Sequence, residues 1–167
     1  MTSILKVDNI QNASGTSALS IDSSGRVTQP QIPCCFVQLT TSNAQDTSNA
    51  YTTTDTDIRF DKIITNQGNC YSESTGRFTV PVAGIYEVQN FFISNNDTSS
   101  DHSTHLRKND VIIHRSFNST SNEHVQLVTH CLVDCNVGDY FTVHLNSGNI
   151  YINSDGSYSS FTVKLVG

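Results

Sequence analysis

Sustained helical periodicity is the first thing missing from this chain of 167 residues. No window places apolar residues at i, i+3, i+4 and i+7 over several turns, which argues against an α-helical core. Charge is sparse as well. Asp, Glu, Lys and Arg make up 14% of the chain, against ~25% in ordinary soluble domains, so its exposed faces must be polar without being charged. Lysine and arginine number nine against fifteen acids, for a net charge of −6. They are scattered, and with no basic stripe to neutralise phosphates, no nucleic-acid partner is expected. No apolar run approaches the ~20 residues of a membrane-crossing helix, so no membrane partner is expected either. The opening MTSILKVDNIQNASG lacks a basic stretch followed by an apolar one. It therefore does not read as a secretory signal, and synthesis in a cytoplasm is expected.

An even set of cysteines is also missing; there are five. Cys131 and Cys135 fall four apart in one extended run, roughly 13 Å at ~3.3 Å per residue, too far for a disulfide. Cys34 and Cys35 are adjacent and point to opposite faces. All five read as reduced thiols. His130 with Cys131 and Cys135 does not converge on a zinc ion, because one strand alternates its faces and no second C-x-x-C pair exists. Nucleophile elbows, H-E-x-x-H, P-loops and G-x-G-x-x-G are all absent. No constellation satisfies the requirements of an active site, so the chain is not expected to be an enzyme. No cofactor is expected. The one cation site worth naming is a Ca²⁺ site near Asp97 and Asp101 in SNNDTSSDHS, where carboxylates and amides offer oxygen ligands. Six histidines (His102, His105, His114, His124, His130 and His144) show no ligand spacing that selects among them.

What the chain does have is period-two alternation in short bursts separated by turn residues. CFVQLTT and DIRFDKIITN read as strands. GRFTVPVAGIYEVQNFFIS reads as a short strand, a bend at Pro81 and Gly84, and a longer strand. HSTHLRKNDVIIHRSFN reads as a hairpin turning at Asn109-Asp110. EHVQLVTHCLVDCNVGDYFTVHLNSG gives two strands about the turn NVGD, and NIYINSDGS with YSSFTVKLVG closes the chain. Eight to ten strands at this spacing predict an all-β sandwich or jelly roll. Phe141, Val143 and Leu145 are assigned to the core with Phe161, Val163 and Leu165, opposite Thr142, His144, Thr162 and Lys164. Phe78, Val80, Ile85 and Tyr86 are expected to supply buried area about the bend.

Residues 1–33 differ in composition, rich in Ser, Asn and Gln and closing on Pro30 and Pro33. SALSIDSSGRVT has the form of a hairpin with Ser23-Ser24-Gly25 at its turn. Such a segment is too small to fold alone and needs a partner, either copies of itself or another protein. Ile4, Val7, Ile10, Leu19 and Ile21 are its candidate attachment residues. The remainder, 34–167, carries long polar loops. Tyr51, Tyr151 and Tyr158 are the candidate anchors of a rim for host glycan or protein, since loops on a rigid scaffold are where binding groups collect.

Gly76-Arg77-Phe78-Thr79-Val80-Pro81 with Ala83-Gly84-Ile85-Tyr86 resembles the G-x-F-x-x-P-x-x-G-x-Y centre of the C1q-like domain, a jelly roll shared with the tumour necrosis factor superfamily. FDKIITNQGNCYSESTG, LRKNDVII, CNVGDYFTVHL and YSSFTVKLVG are similar to further segments of that domain, in the same order, over about residues 34–167. The resemblance implies a C1q/TNF-like jelly roll preceded by an extended or hairpin arm, assembled as a homotrimer. The chain departs from complement proteins in having no Gly-X-Y stalk. Sequons at Asn12, Asn96 and Asn118 are expected to stay bare in a chain made in the cytoplasm. ILKVDNIQNASGTSALSIDSSGRVT resembles the start of bacteriophage fibre and virion structural proteins, notably from phages of marine cyanobacteria. Together these imply a virion protein, either a capsid decoration or short head fibre joined to other virion proteins through its arm, or a tail-fibre adhesin.

Overall fold

The structure, a computed structural model, describes residues 6–42, 50–52, 54–95, 101–119 and 123–167. Among these every regular element is a β-strand. The chain forms two compact units, Met1–Ile32 and Pro33–Gly167.

The first unit is a three-stranded antiparallel meander of β1 (Asn9–Gln11), β2 (Ser17–Ile21) and β3 (Val27–Thr28). Asn12 sets its first turn by accepting the Ser14 and Thr16 amides on its side-chain oxygen. Asp22 sets the second in the same way, accepting Ser24 and Arg26. These are Asx-type turns, which explains Asn and Asp at those positions. None of its described residues is buried.

The second unit is a sandwich. One sheet has five strands in the order β13 (Gln126–Cys135), β10 (Gly84–Ile93), β16 (Ser159–Leu165), β4 (Cys34–Gln38) and β7 (Lys62–Gln67). The other runs β12 (Val111–Asn118), β11 (His102–Lys108), β14 (Tyr140–Ser147), β9 (Arg77–Thr79) and β8 (Tyr71–Ser72), with β6 (Thr56–Asp57) also paired to β14. A two-stranded ribbon joins β5 (Ala50–Tyr51) and β15 (Ile150–Tyr151). The core between the sheets is aromatic. Phe60 stacks on Phe92 at 5.9 Å and on Phe161 at 5.6 Å, and Phe78 meets Tyr86 edge-on at 6.0 Å.

The segment GRFTVPVAGIY is a corner between sheets. β9 belongs to one sheet and β10 to the other, and Pro81 to Gly84 carries the chain across. Gly76 precedes the corner at φ +69°, where an added Cβ would lie 2.5 Å from the Ile58 carbonyl oxygen. Phe78, Val80 and Tyr86 are buried as expected, but Ile85 is 45% exposed. The bend resets the alternation, so Ile85 falls on the outer face with its neighbour Tyr86 inside.

DIRFDKIITN is likewise two strands and not the single strand expected. Its middle crosses between sheets: the Ile58 amide donates to the Val143 carbonyl in one, and β7 pairs with β4 in the other. Phe60 enters the core at the crossing, and the Asp61 carboxylate accepts the Thr40 amide at 2.7 Å. The Asn109-Asp110 hairpin forms as expected, with both residues at positive φ (52° and 64°). That is the pair of conformations a two-residue turn between twisted strands requires. Phe141, Val143 and Leu145 are buried, but so are Thr142 and His144 on the opposite face. On that face His144 lies between stacked His105 and Asp57, whose carboxylate meets His144 Nδ1 at 3.0 Å and the Arg107 guanidinium at 3.6 Å, and Arg107 is the register partner of Thr142.

Candidate functional site

Two of the three tyrosines expected at the rim come together, and the third does not. Tyr51 is fully buried, and burial pushes its hydroxyl pKa up to about 12. The register of the ribbon explains this correction. Tyr51 lies opposite Ile150 and both point inward, whereas Tyr151 lies opposite Ala50 on the other face. Antiparallel partners share a face and successive residues alternate, so Tyr51 and Tyr151 cannot both line the rim.

Tyr151 meets Tyr158 with ring centroids 4.9 Å apart and planes at 55°. His124 contacts the same Tyr151 ring edge-on at 5.0 Å. With Ile93 these rings line an open cavity of about 290 Å³. Sequence reading did not place Ile93 or His124 at the rim. Neither carries a local signal, because they arrive from β10 and from the approach to β13.

The chain fixes this cluster through Ser94, which is fully buried. The Ser94 amide donates to the Val125 carbonyl, and its hydroxyl accepts the Val125 amide at 2.9 Å and donates to the Glu123 carbonyl. The Ser94 carbonyl accepts from His124 Nδ1 at 2.8 Å. In the neutral imidazole that bond places the proton on Nδ1 and leaves Nε2 as an acceptor. Tyr158 is positioned by a turn closed on itself. Asp155 Oδ1 accepts from the Ser157 amide and the Asn153 side-chain amide, and the Asp155 carbonyl accepts the Lys62 ammonium. Gly156, at φ +76°, lets the turn press on β4, where a Cβ would meet Gln38 at 3.0 Å. Hydrogen bonds to the ionised form hold the Asp155 carboxyl below its usual range, chiefly those from Ser157.

In the N-terminal unit Ile4 lies outside the described residues. Ile10 is 47% exposed and pairs in register with Leu19, while Val7, Leu19 and Ile21 are half-buried. Asp97 lies outside the described residues too, and Asp101 accepts the Ser119 hydroxyl at 3.0 Å. Among the described residues no group of three His, Cys, Asp or Glu side chains is placed to hold a metal. A serine–histidine contact does occur, Ser103 Oγ to His105 Nε2 at 3.3 Å. Both residues are buried, and among the described residues no acceptor meets His105 Nδ1 to orient the ring, so the pair lacks there the third member and the access that nucleophilic catalysis needs. Burial, with Arg115, Arg107 and His144 nearby, lowers the His105 pKa.

A model of the C1q domain family matches residues 41–166. Caprin-2 of Danio rerio is 29% identical over 131 residues, 78% of this chain and 14% of Caprin-2, so the chain spans a small part of that relative. Among solved structures, the globular domain of zebrafish complement 1qA superposes with a TM-score of 0.63 at 15% identity, covering 81% of this chain and 98% of that one. Eiger TNF from S. frugiperda gives 0.63 at 12% identity, covering 82% and 94%. Murine APRIL gives 0.61 at 11%, covering 81% and 99%. At such identities the likeness is one of fold. C1q- and TNF-like relatives form homotrimers.

Proposed function

This chain belongs to the C1q domain family, and from that premise we propose that it is a trimeric structural protein displayed on a bacteriophage particle, as a capsid decoration or short head fibre. The jelly roll faces outward and the N-terminal arm joins it to another virion protein. On this reading the protein is made in the host cytoplasm and resides in the virion. It is not an enzyme, and it works without cofactor, nucleic acid or membrane.

The observation that carries the reading is the division of the chain. Residues 33–167 hold a complete core, whereas no described residue of the arm is buried. A meander with no fully buried side chain among its described residues has little to hold it together by itself, and it gains stability by laying its apolar positions on a partner. Val7, Ile10, Leu19 and Ile21 supply those positions. The resemblance of the arm to virion proteins supports the choice of particle.

Trimer formation is supported by apolar side chains on the outer face of the five-stranded sheet. Ile85, Val128 and Leu132 are exposed there, and Phe36 and Phe91 half-buried. The edge strand β12 adds exposed Val111, Ile113 and Phe117. A long apolar edge invites pairing unless an interface covers it. Packing the edge of one copy on the sheet face of the next is a heterologous contact, which closes into a ring under threefold symmetry.

Imaging of intact particles with the protein labelled tests the reading. Many copies over the head are expected, and absence from purified particles overturns it. A few copies at the tail would favour the second reading, a tail-fibre adhesin, for which the aromatic cavity is the supporting observation.

A further inference from the structure

We propose that the cavity lined by Ile93, His124, Tyr151 and Tyr158 binds the terminal ring of a neutral glycan, stacked on the tyrosines. The inference rests on the surface-displayed reading above and assigns that surface a ligand class. Three features of the cavity select it. At about 290 Å³ it stands at the lower end of the range for ligand sites, with room for one ring and not for an extended chain.

Its described lining residues carry no acidic or basic chain other than the His124 imidazole. Among the described lining residues no guanidinium or ammonium offers the charge-assisted pair that strengthens binding of a sialic or uronic acid carboxylate. The lining pairs apolar surface with polar tips. Two tilted tyrosine rings and Ile93 suit the C–H face of a pyranose, and the tyrosine hydroxyls with His124 Nε2 suit its hydroxyl rim.

The rim is also set before any ligand arrives. Ser94 holds His124, and the Asn153–Asp155–Ser157 turn holds the loop that presents Tyr158. Groups ordered in advance lose little freedom on binding, so even a single-ring site gives measurable affinity when three copies act together.

The test is retention of the full chain on an array of neutral and acidic glycans, with Tyr158→Ala, Tyr151→Ala and Tyr158→Phe measured beside it. Retention on neutral termini is expected, about tenfold weaker or more in the two alanine variants and only a few-fold weaker in Tyr158→Phe, which keeps the ring and loses one hydroxyl. Titration of the wild-type protein with free methyl glycosides of neutral hexoses should also shift the Ile93 methyl signals, a readout that does not depend on any variant folding. Failure to retain any neutral glycan, retention unchanged in Tyr158→Ala, unmoved Ile93 signals, or binding confined to acidic glycans or to protein each overturns the proposal. The array uses purified protein. Glycan binding by a protein absent from phage particles would therefore refute the virion reading and leave this one standing.

Discussion

Removing one hydroxyl oxygen, in Tyr71→Phe, should cost the jelly roll far more than its size suggests. Tyr71 is 4% exposed, and its hydroxyl bridges both backbone groups of fully buried Phe60. It accepts the Phe60 amide at 2.8 Å and donates to the Phe60 carbonyl at 3.1 Å. The substitution keeps the ring, its edge contact with Phe161 at 6.5 Å, and the Asn66 side chain that clamps the Tyr71 backbone. The loss is therefore confined to two hydrogen bonds whose backbone partners remain buried in the crossing between sheets. A buried donor or acceptor left unsatisfied costs about 1–3 kcal/mol, so the pair should cost about 2–4 kcal/mol after partial relaxation. For a domain of this size that corresponds to a fall of roughly 5–15 °C in melting temperature. Tyr86→Phe is the internal control, because that hydroxyl makes one bond, to the carbonyl of half-exposed Val82, which water can replace. Its cost should stay below about 1 kcal/mol. Urea unfolding at a fixed protomer concentration measures both, since an oligomer's stability depends on concentration. Equal costs for the two variants would refute the argument that the Phe60 backbone depends on Tyr71.

Gly76→Ala forces a Cβ to 2.5 Å from the Ile58 carbonyl oxygen at φ +69°, and should lower stability by about 2 kcal/mol or more; an unchanged urea midpoint counts against the corner geometry. Because the folded-state pKa of His105 lies below its unfolded value, the folded protein resists protonation there. Its stability contribution is complete above about pH 6.5 and is lost as pH falls through the folded value, so His105→Gln should flatten the pH dependence of the melting temperature below about 6.5. Deleting residues 1–32 should leave the melting temperature of the jelly roll nearly unchanged while abolishing incorporation into particles; loss of folding in the shortened protein would contradict the division into two units.

Alternation and turn chemistry were enough, from sequence, for the class of fold, for the Asn109-Asp110 hairpin and for the inward set Phe141, Val143, Leu145, Phe161 and Val163. Each rests on local physics: side chains alternate with period two, and positive φ favours Asn, Asp and Gly. The corner motif around Pro81 and Gly84 was legible for the same reason. What tertiary structure decided lies where local rules run out. Ile85 was assigned to the core and is exposed, because a bend between sheets resets the phase of the alternation. Thr142 and His144 were assigned outward and are buried, because neighbours from distant strands pack beside them on that face, Arg107 by Thr142 and His105 with Asp57 by His144. Tyr51 and Tyr151 look equivalent in sequence, yet the one-residue register of a short ribbon sends one into the core and the other to the rim. The candidate site as a whole depends on this level, since Ile93, His124, Tyr151 and Tyr158 are separated along the chain and share a cavity only through the pairing of strands and the bonds of Ser94. Sequence determines which residues alternate and turn, because those are properties of neighbours; which of them meet is set by closure of the sandwich, a property of the whole domain.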